Sequence, residues 1–124
     1  MKYISQIVFF LFALLFISNR SIAQDAVKVD AKHYKVEFEN DEVRVLRITY
    51  GPHEKSKMHS HPEGVVVFLT DGTLKMNLPD GKSQEMNPKA GQVIWSEKSK
   101  HQPENIGDKP FEVIQIEMKI KKKK

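Results

Sequence analysis

The sequence predicts an all-β chain folded into one barrel or two-sheet sandwich. Three observations carry this. Short apolar or alternating segments recur from residue 34 to residue 118. Turn dipeptides punctuate them: Asn40-Asp41, Gly51-Pro52, Asp71-Gly72, Asp80-Gly81 and Gly107-Asp108. No segment beyond Ile22 shows a helical apolar period with capping residues.

The chain starts with a segment that does not belong to this fold. Lys2 supplies a positive charge, residues 7–17 are an unbroken apolar run, and Ser21-Ile22-Ala23 places small residues where a signal peptidase reads. Residues 1–23 are therefore expected to be a cleaved signal peptide. The competing reading, a membrane anchor, needs about 20 apolar residues. Export places the mature protein in a periplasm or outside the cell, with no stable membrane insertion after cleavage. The mature chain is long enough for one modest core.

Residues 24–33 read as an N-terminal arm, with 26–33 open to a short helix, a strand or an irregular segment. The barrel is assigned to residues 34–118. In residues 34–39, Tyr34, Val36 and Phe38 alternate onto one face. Residues 42–50 are β-branched and aromatic, but the apolar set shifts phase between Val45 and Leu46, which suggests a bulge or strong twist. Residues 65–70 form an apolar strand that Asp71-Gly72 turns into residues 73–78. Asp80-Gly81 turns that strand into residues 82–86. Residues 92–96 contain Trp95. Residues 111–119 alternate, and Gln115 and Glu117 are expected on the solvent side. Met58 and Met76 are expected to fill the core.

Charge excludes some partners. The formal net charge of +4 includes Lys2, Arg20 and the terminal run Lys121–Lys124, so residues 24–120 carry −2. The basic character belongs to a tail, residues 119–124, and runs of this kind are usually solvated. No basic patch interleaved with aromatics points to nucleic acid. The absence of cysteine excludes disulfides, thiolate ligands and a cysteine nucleophile.

The chemistry-bearing feature is His59-Ser60-His61, with His101 forty residues later. Histidines at i and i+2 of an extended segment project to one side. A third on a later strand would complete a three-imidazole site suited to a transition metal rather than to Ca or Mg. His33 and His53 lack such partners and are read as structural or surface residues.

These motifs resemble those of the cupin superfamily, whose fold is a double-stranded β-helix, a jelly-roll barrel. The first cupin motif is a glycine, five residues, His-x-His, three or four residues, a glutamate, six residues and a glycine. Here His59 and His61 supply the pair and Gly72 stands eleven residues after His61. The second motif runs glycine, five residues, Pro-x-Gly, two residues, histidine, three residues, asparagine. Gly91 opens it here, and His101 with Asn105 closes it. The likeness extends over roughly residues 34–118. The departures are His53 for the first glycine, Val65 for the glutamate ligand, and Glu97 and Ser99 in the Pro and Gly positions, with His101 one residue early.

What remains resembles the three-histidine variant of some cupin dioxygenases. The resemblance implies a divalent transition metal (Fe(II), Zn, Mn or Ni) on His59, His61 and His101, with positions open for substrate. Glu63 is a candidate replacement ligand, and Val65, Val67 and Trp95 are candidate pocket walls. Three function classes follow: a metal-dependent enzyme on a small polar molecule (dioxygenase-like, or an isomerase or lyase); a non-catalytic module for a small ligand or metal; and a dimeric scaffold without metal. A homodimer is implied by the resemblance. Fold alone does not choose among them.

Overall fold

Nine antiparallel strands form two sheets in the computed structural model, which describes residues 24–120. The expected signal segment, residues 1–23, and Lys121–Lys124 lie outside the described residues. A single helical turn, α1 (Ala26–Val29), precedes the strands and is capped by the Asp25 carboxylate, which accepts from the Val27 N–H. The strands are β1 (Tyr34–Glu39), β2 (Val43–Tyr50), β3 (His59–His61), β4 (Gly64–Phe68), β5 (Leu74–Asn77), β6 (Ser83–Met86), β7 (Val93–Ser96), β8 (Ser99–Asn105) and β9 (Phe111–Met118). The sheet orders are β1-β2-β9-β4-β7 and β3-β8-β5-β6. No helix among the described residues is long and apolar enough to cross a membrane.

Two turns behave differently despite similar dipeptides. Asp80-Gly81 closes the β5–β6 hairpin, with Gly81 at φ 84°, a conformation L side chains rarely adopt. Asp71-Gly72, expected to make a hairpin, instead carries the chain from one sheet to the other, because β4 pairs with β7 and β9 while β5 pairs with β6 and β8. The irregularity expected in residues 42–50 lies on the partner strand. β2 pairs with β9 without a break, and the register slips between Val36 and Phe38 of β1. The slip follows Val36, so Tyr34 and Val36 share the face of Ile48 and Leu46, while Phe38, opposite Val45, is turned to the other face.

The core sits between the sheets. Leu46, Ile48, Tyr50, Phe68, Leu74, Phe111 and Val113 are buried there. β9 is a central strand, and its inward set is Phe111, Val113, Gln115 and Glu117. Gln115 and Glu117, expected on the solvent face, are 5% and 2% exposed. The alternation was correct but the faces are reversed. Ile114 and Ile116 lie outward, in register with Val67 and Val65 of β4. The cross-sheet row Phe38, Val45, Ile116, Val65, Trp95 is consequently apolar from one edge strand to the other. Lys119, assigned to the basic tail, is tied down by its N–H to the Glu42 carbonyl and its Nζ to Glu39.

Candidate metal centre

β3 and β8 position the three histidines. His59 and His61 alternate past Ser60, so both imidazoles face inward, and His101 is the direct cross-strand partner of His59. One ring nitrogen from each lies within 4.8 Å of the others. His59 and His61 are 0% and 2% exposed, and His101 is half-buried.

Hydrogen bonds fix which nitrogen is free. His59 Nδ1 lies 2.7 Å from the Lys57 carbonyl, which can only accept, so Nδ1 carries the proton. His61 Nδ1 lies 2.7 Å from Glu117 Oε1. Burial alone would raise the Glu117 carboxyl, but hydrogen bonds from His61 and Arg44 outweigh it and hold the group ionised, below its ordinary value. His61 Nδ1 is therefore a donor too. The two Nε2 atoms are left as buried lone pairs with no hydrogen-bond partner among the described residues. Buried polar atoms are rarely left so. A metal ion on these lone pairs would satisfy them, and the residues present fit one: three converging imidazoles, with His59 and His61 each oriented by an acceptor behind it. Burial, with the neighbouring imidazoles, depresses His59 to about 4 and His101 to about 3, so both are neutral at pH 7.

Behind His61 runs a chain of charges that the sequence did not reveal. Glu117 accepts from Arg44 Nε at 2.7 Å, and Arg44 Nη1 lies 2.8 Å from Asp25 Oδ2. The N-cap of α1 is thereby joined to the imidazole. β9 also carries Glu112 and Gln115, so a charge at position 117 was a weak signal in sequence.

The other candidates fall elsewhere. Glu63 is exposed and is not part of the cluster. His33 is buried but distant in role: Nδ1 meets Asp30 at 2.7 Å and Nε2 meets Glu54 at 2.5 Å. His53 is exposed, at φ 60°, against Asp108. Asn105 is structural. Its amide donates to the Gly51 and Lys109 carbonyls and accepts from the Gly107 N–H, stapling a turn.

A cavity of about 290 Å³ opens beside His101 between the two sheets. Val66, Phe68, Ile94 and Val113 contribute to its largely apolar lining. Val65 and Val67, expected on this wall, are absent from it because they sit on the outward rows of β4. Trp95 lines the cavity from the rim and is half exposed, its Nε1 donating to Glu97. Position 65 therefore does not offer a fourth ligand. The inward residue at this end of β4 is Gly64, where a Cβ would meet the Ile116 carbonyl oxygen at 1.9 Å.

The sequence model of the cupin domain matches residues 46–117, more than half of the chain and all three histidines. The chain belongs to the cupin family. A solved cupin domain from Bordetella pertussis Tohama I is 28% identical, with a TM-score of 0.66, covering 70% of this chain and 92% of that one. A double-stranded β-helix protein from Klebsiella pneumoniae is 20% identical, with a TM-score of 0.55, over 67% of this chain and 72% of its own. A cupin 2 conserved barrel protein from Salinispora arenicola is 21% identical, with a TM-score of 0.52, over 71% and 76%. The last two support the fold alone. No curated protein matches this cupin in sequence.

Proposed function

We propose that this cupin is an exported protein that holds one divalent transition metal on His59, His61 and His101 and uses it for dioxygenase-like chemistry on a small molecule. The observation that carries the metal reading is the pair of buried, unpartnered Nε2 lone pairs converging with His101. Three protein ligands with open positions are the pattern of a catalytic rather than a structural site. A bound iron(II) would supply oxygen activation.

The rest of the cavity supports one reaction class over the others. Isomerases and lyases need a placed general base. The titratable groups lining this cavity are Tyr34, Tyr50, Glu97 and His101. Burial raises both tyrosines, and Glu97 sits at the exposed rim. None is suited to proton abstraction deep in the cavity, which favours oxygen chemistry. The chain's own residues would seat the substrate and exclude water.

The test begins with residues 24–124, purified and analysed for bound metal. About one equivalent is expected after reconstitution with Fe(II), followed by oxygen uptake in the presence of a fitting substrate. No metal uptake under reducing conditions rejects the reading. Metal uptake with no oxygen consumption across a broad substrate panel favours the second reading, a non-catalytic binding module.

A homodimer is part of the proposal. The apolar row Phe38, Val45, Ile116, Val65, Trp95 ends in two half-exposed aromatics, at 54% and 51%. Such a face is suited to a second copy of itself. Light scattering of wild type and Val65→Lys is the check: a monomer in the wild type removes the dimer.

A further inference from the structure

Gln115 presents an amide that no group among the described residues satisfies and that the cavity keeps within reach of solvent. It is 5% exposed, on a central strand, and lines the cavity beside His101. Its side chain makes no hydrogen bond to any described residue, although its strand neighbour Glu117 makes two. Such groups persist where a ligand or solvent completes them. The walls around it are apolar: Ile48, Val66, Phe68, Leu74, Ile94 and Val113. The volume of about 290 Å³ is roughly twice that of an apolar cavity known to take benzene.

We infer that the substrate is a compact amphipathic molecule, with a hydrocarbon body of roughly six to ten carbons and one oxygen-bearing head that hydrogen-bonds the Gln115 amide while facing the histidine cluster. This rests on the metal reading above and replaces the polar substrate expected from sequence. Gln115 is the specificity-determining residue. The amide rejects a purely hydrocarbon ligand, which would leave it unsatisfied, and the walls reject a wholly polar one, which would lose its hydration. Trp95, the sole tryptophan, stands at the mouth and reports entry by fluorescence.

The test uses two chelating probes, hexanohydroxamate and acetohydroxamate, titrated into Co(II)-loaded wild type and Gln115→Met, which keeps the side-chain length. Each buried methylene contributes about 0.8 kcal/mol, so hexanohydroxamate should bind at least tenfold more tightly. Gln115→Met should take up Co(II) like wild type, by its visible spectrum, yet bind hexanohydroxamate about fivefold or more weakly. Equal affinity of wild type for the two probes overturns the inference, and so does an unchanged or tighter Gln115→Met. If no Co(II) binds at all, the metal reading falls separately. The inference is then decided on the apo protein by Trp95 fluorescence with hexanamide and acetamide, where a preference for hexanamide that Gln115→Met weakens sustains it and no preference overturns it.

Discussion

His61 Nδ1 and Glu117 Oε1 are 2.7 Å apart, with both side chains almost wholly buried, and this contact links the candidate metal centre to the charged interior of the larger sheet. The carboxylate fixes the imidazole's tautomer and raises its basicity as a ligand. Arg44 holds the far oxygen of the same carboxylate, so Glu117 cannot turn away without also breaking its ion pair with Arg44.

Glu117→Gln keeps the shape of this contact and removes its charge. Metal affinity should fall by about 10- to 100-fold, measured by competition with a chromophoric chelator. A comparable affinity in the variant would show that the carboxylate does not tune the ligand. Thermal melts of the apo proteins separate this effect from a loss of folding.

The cluster separates ligands from structural histidines. Alanine at His59, His61 or His101 should reduce bound metal from about one equivalent to none by elemental analysis. His33→Ala should leave the stoichiometry intact and instead lower the urea midpoint, because Asp30 and Glu54 lose the ring that hydrogen-bonds both of them. Metal loss in His33→Ala, with the fold retained, would contradict this division of roles.

Gly64 is fixed by a close approach of backbone. Its Cβ would meet the Ile116 carbonyl oxygen at 1.9 Å and its carbon at 2.9 Å, neither of which can swing aside. Gly64→Ala should therefore lower the urea midpoint sharply, at the severe end of single substitutions, about 4 kcal/mol. Val65→Glu, one residue on, faces outward and should leave metal affinity unchanged. A rise in affinity for Val65→Glu would mean that β4 presents the opposite face.

Much of the fold was legible because its signals are local. The β5–β6 hairpin follows from Asp80-Gly81, and β1 begins and ends where its alternation does. The metal ligands were legible because His59 and His61 lie on one short strand and share a side by periodicity alone. Faces were harder to read. On β9 both alternating sets contain apolar residues, so Ile114, Ile116 and Met118 looked like the core set. Only the pairing of β9 between β2 and β4 reveals that Val113, Gln115 and Glu117 face inward. The same inversion moved Val65 and Val67 off the cavity wall. Arg44 was invisible as the partner of Glu117 because it lies 73 positions away in sequence, and Asp25 joins the chain only through Arg44.

The last prediction is the pH dependence of stability. Burial holds His59 near 4 and His101 near 3 in the folded protein, against about 6.5 when unfolded. Below pH 6.5 the unfolded chain therefore binds more protons than the folded one, and stability must fall as pH falls. The loss begins near 6.5, continues to about 4 for His59 and about 3 for His101, and is absent above neutrality. Each histidine contributes up to about 1.4 kcal/mol per pH unit inside its window. Metal adds stability at neutral pH by occupying the neutral nitrogens, and protons compete with it in the same range. Urea melts of apo and metal-loaded protein from pH 7.5 to 4 should show a steep acid loss in both, with the two curves converging at the acid end. In the triple variant His59→Gln, His61→Gln, His101→Gln the apo slope between pH 6.5 and 4 should flatten. An unchanged slope there would assign the acid sensitivity to the carboxylates around Arg44 and His33 instead.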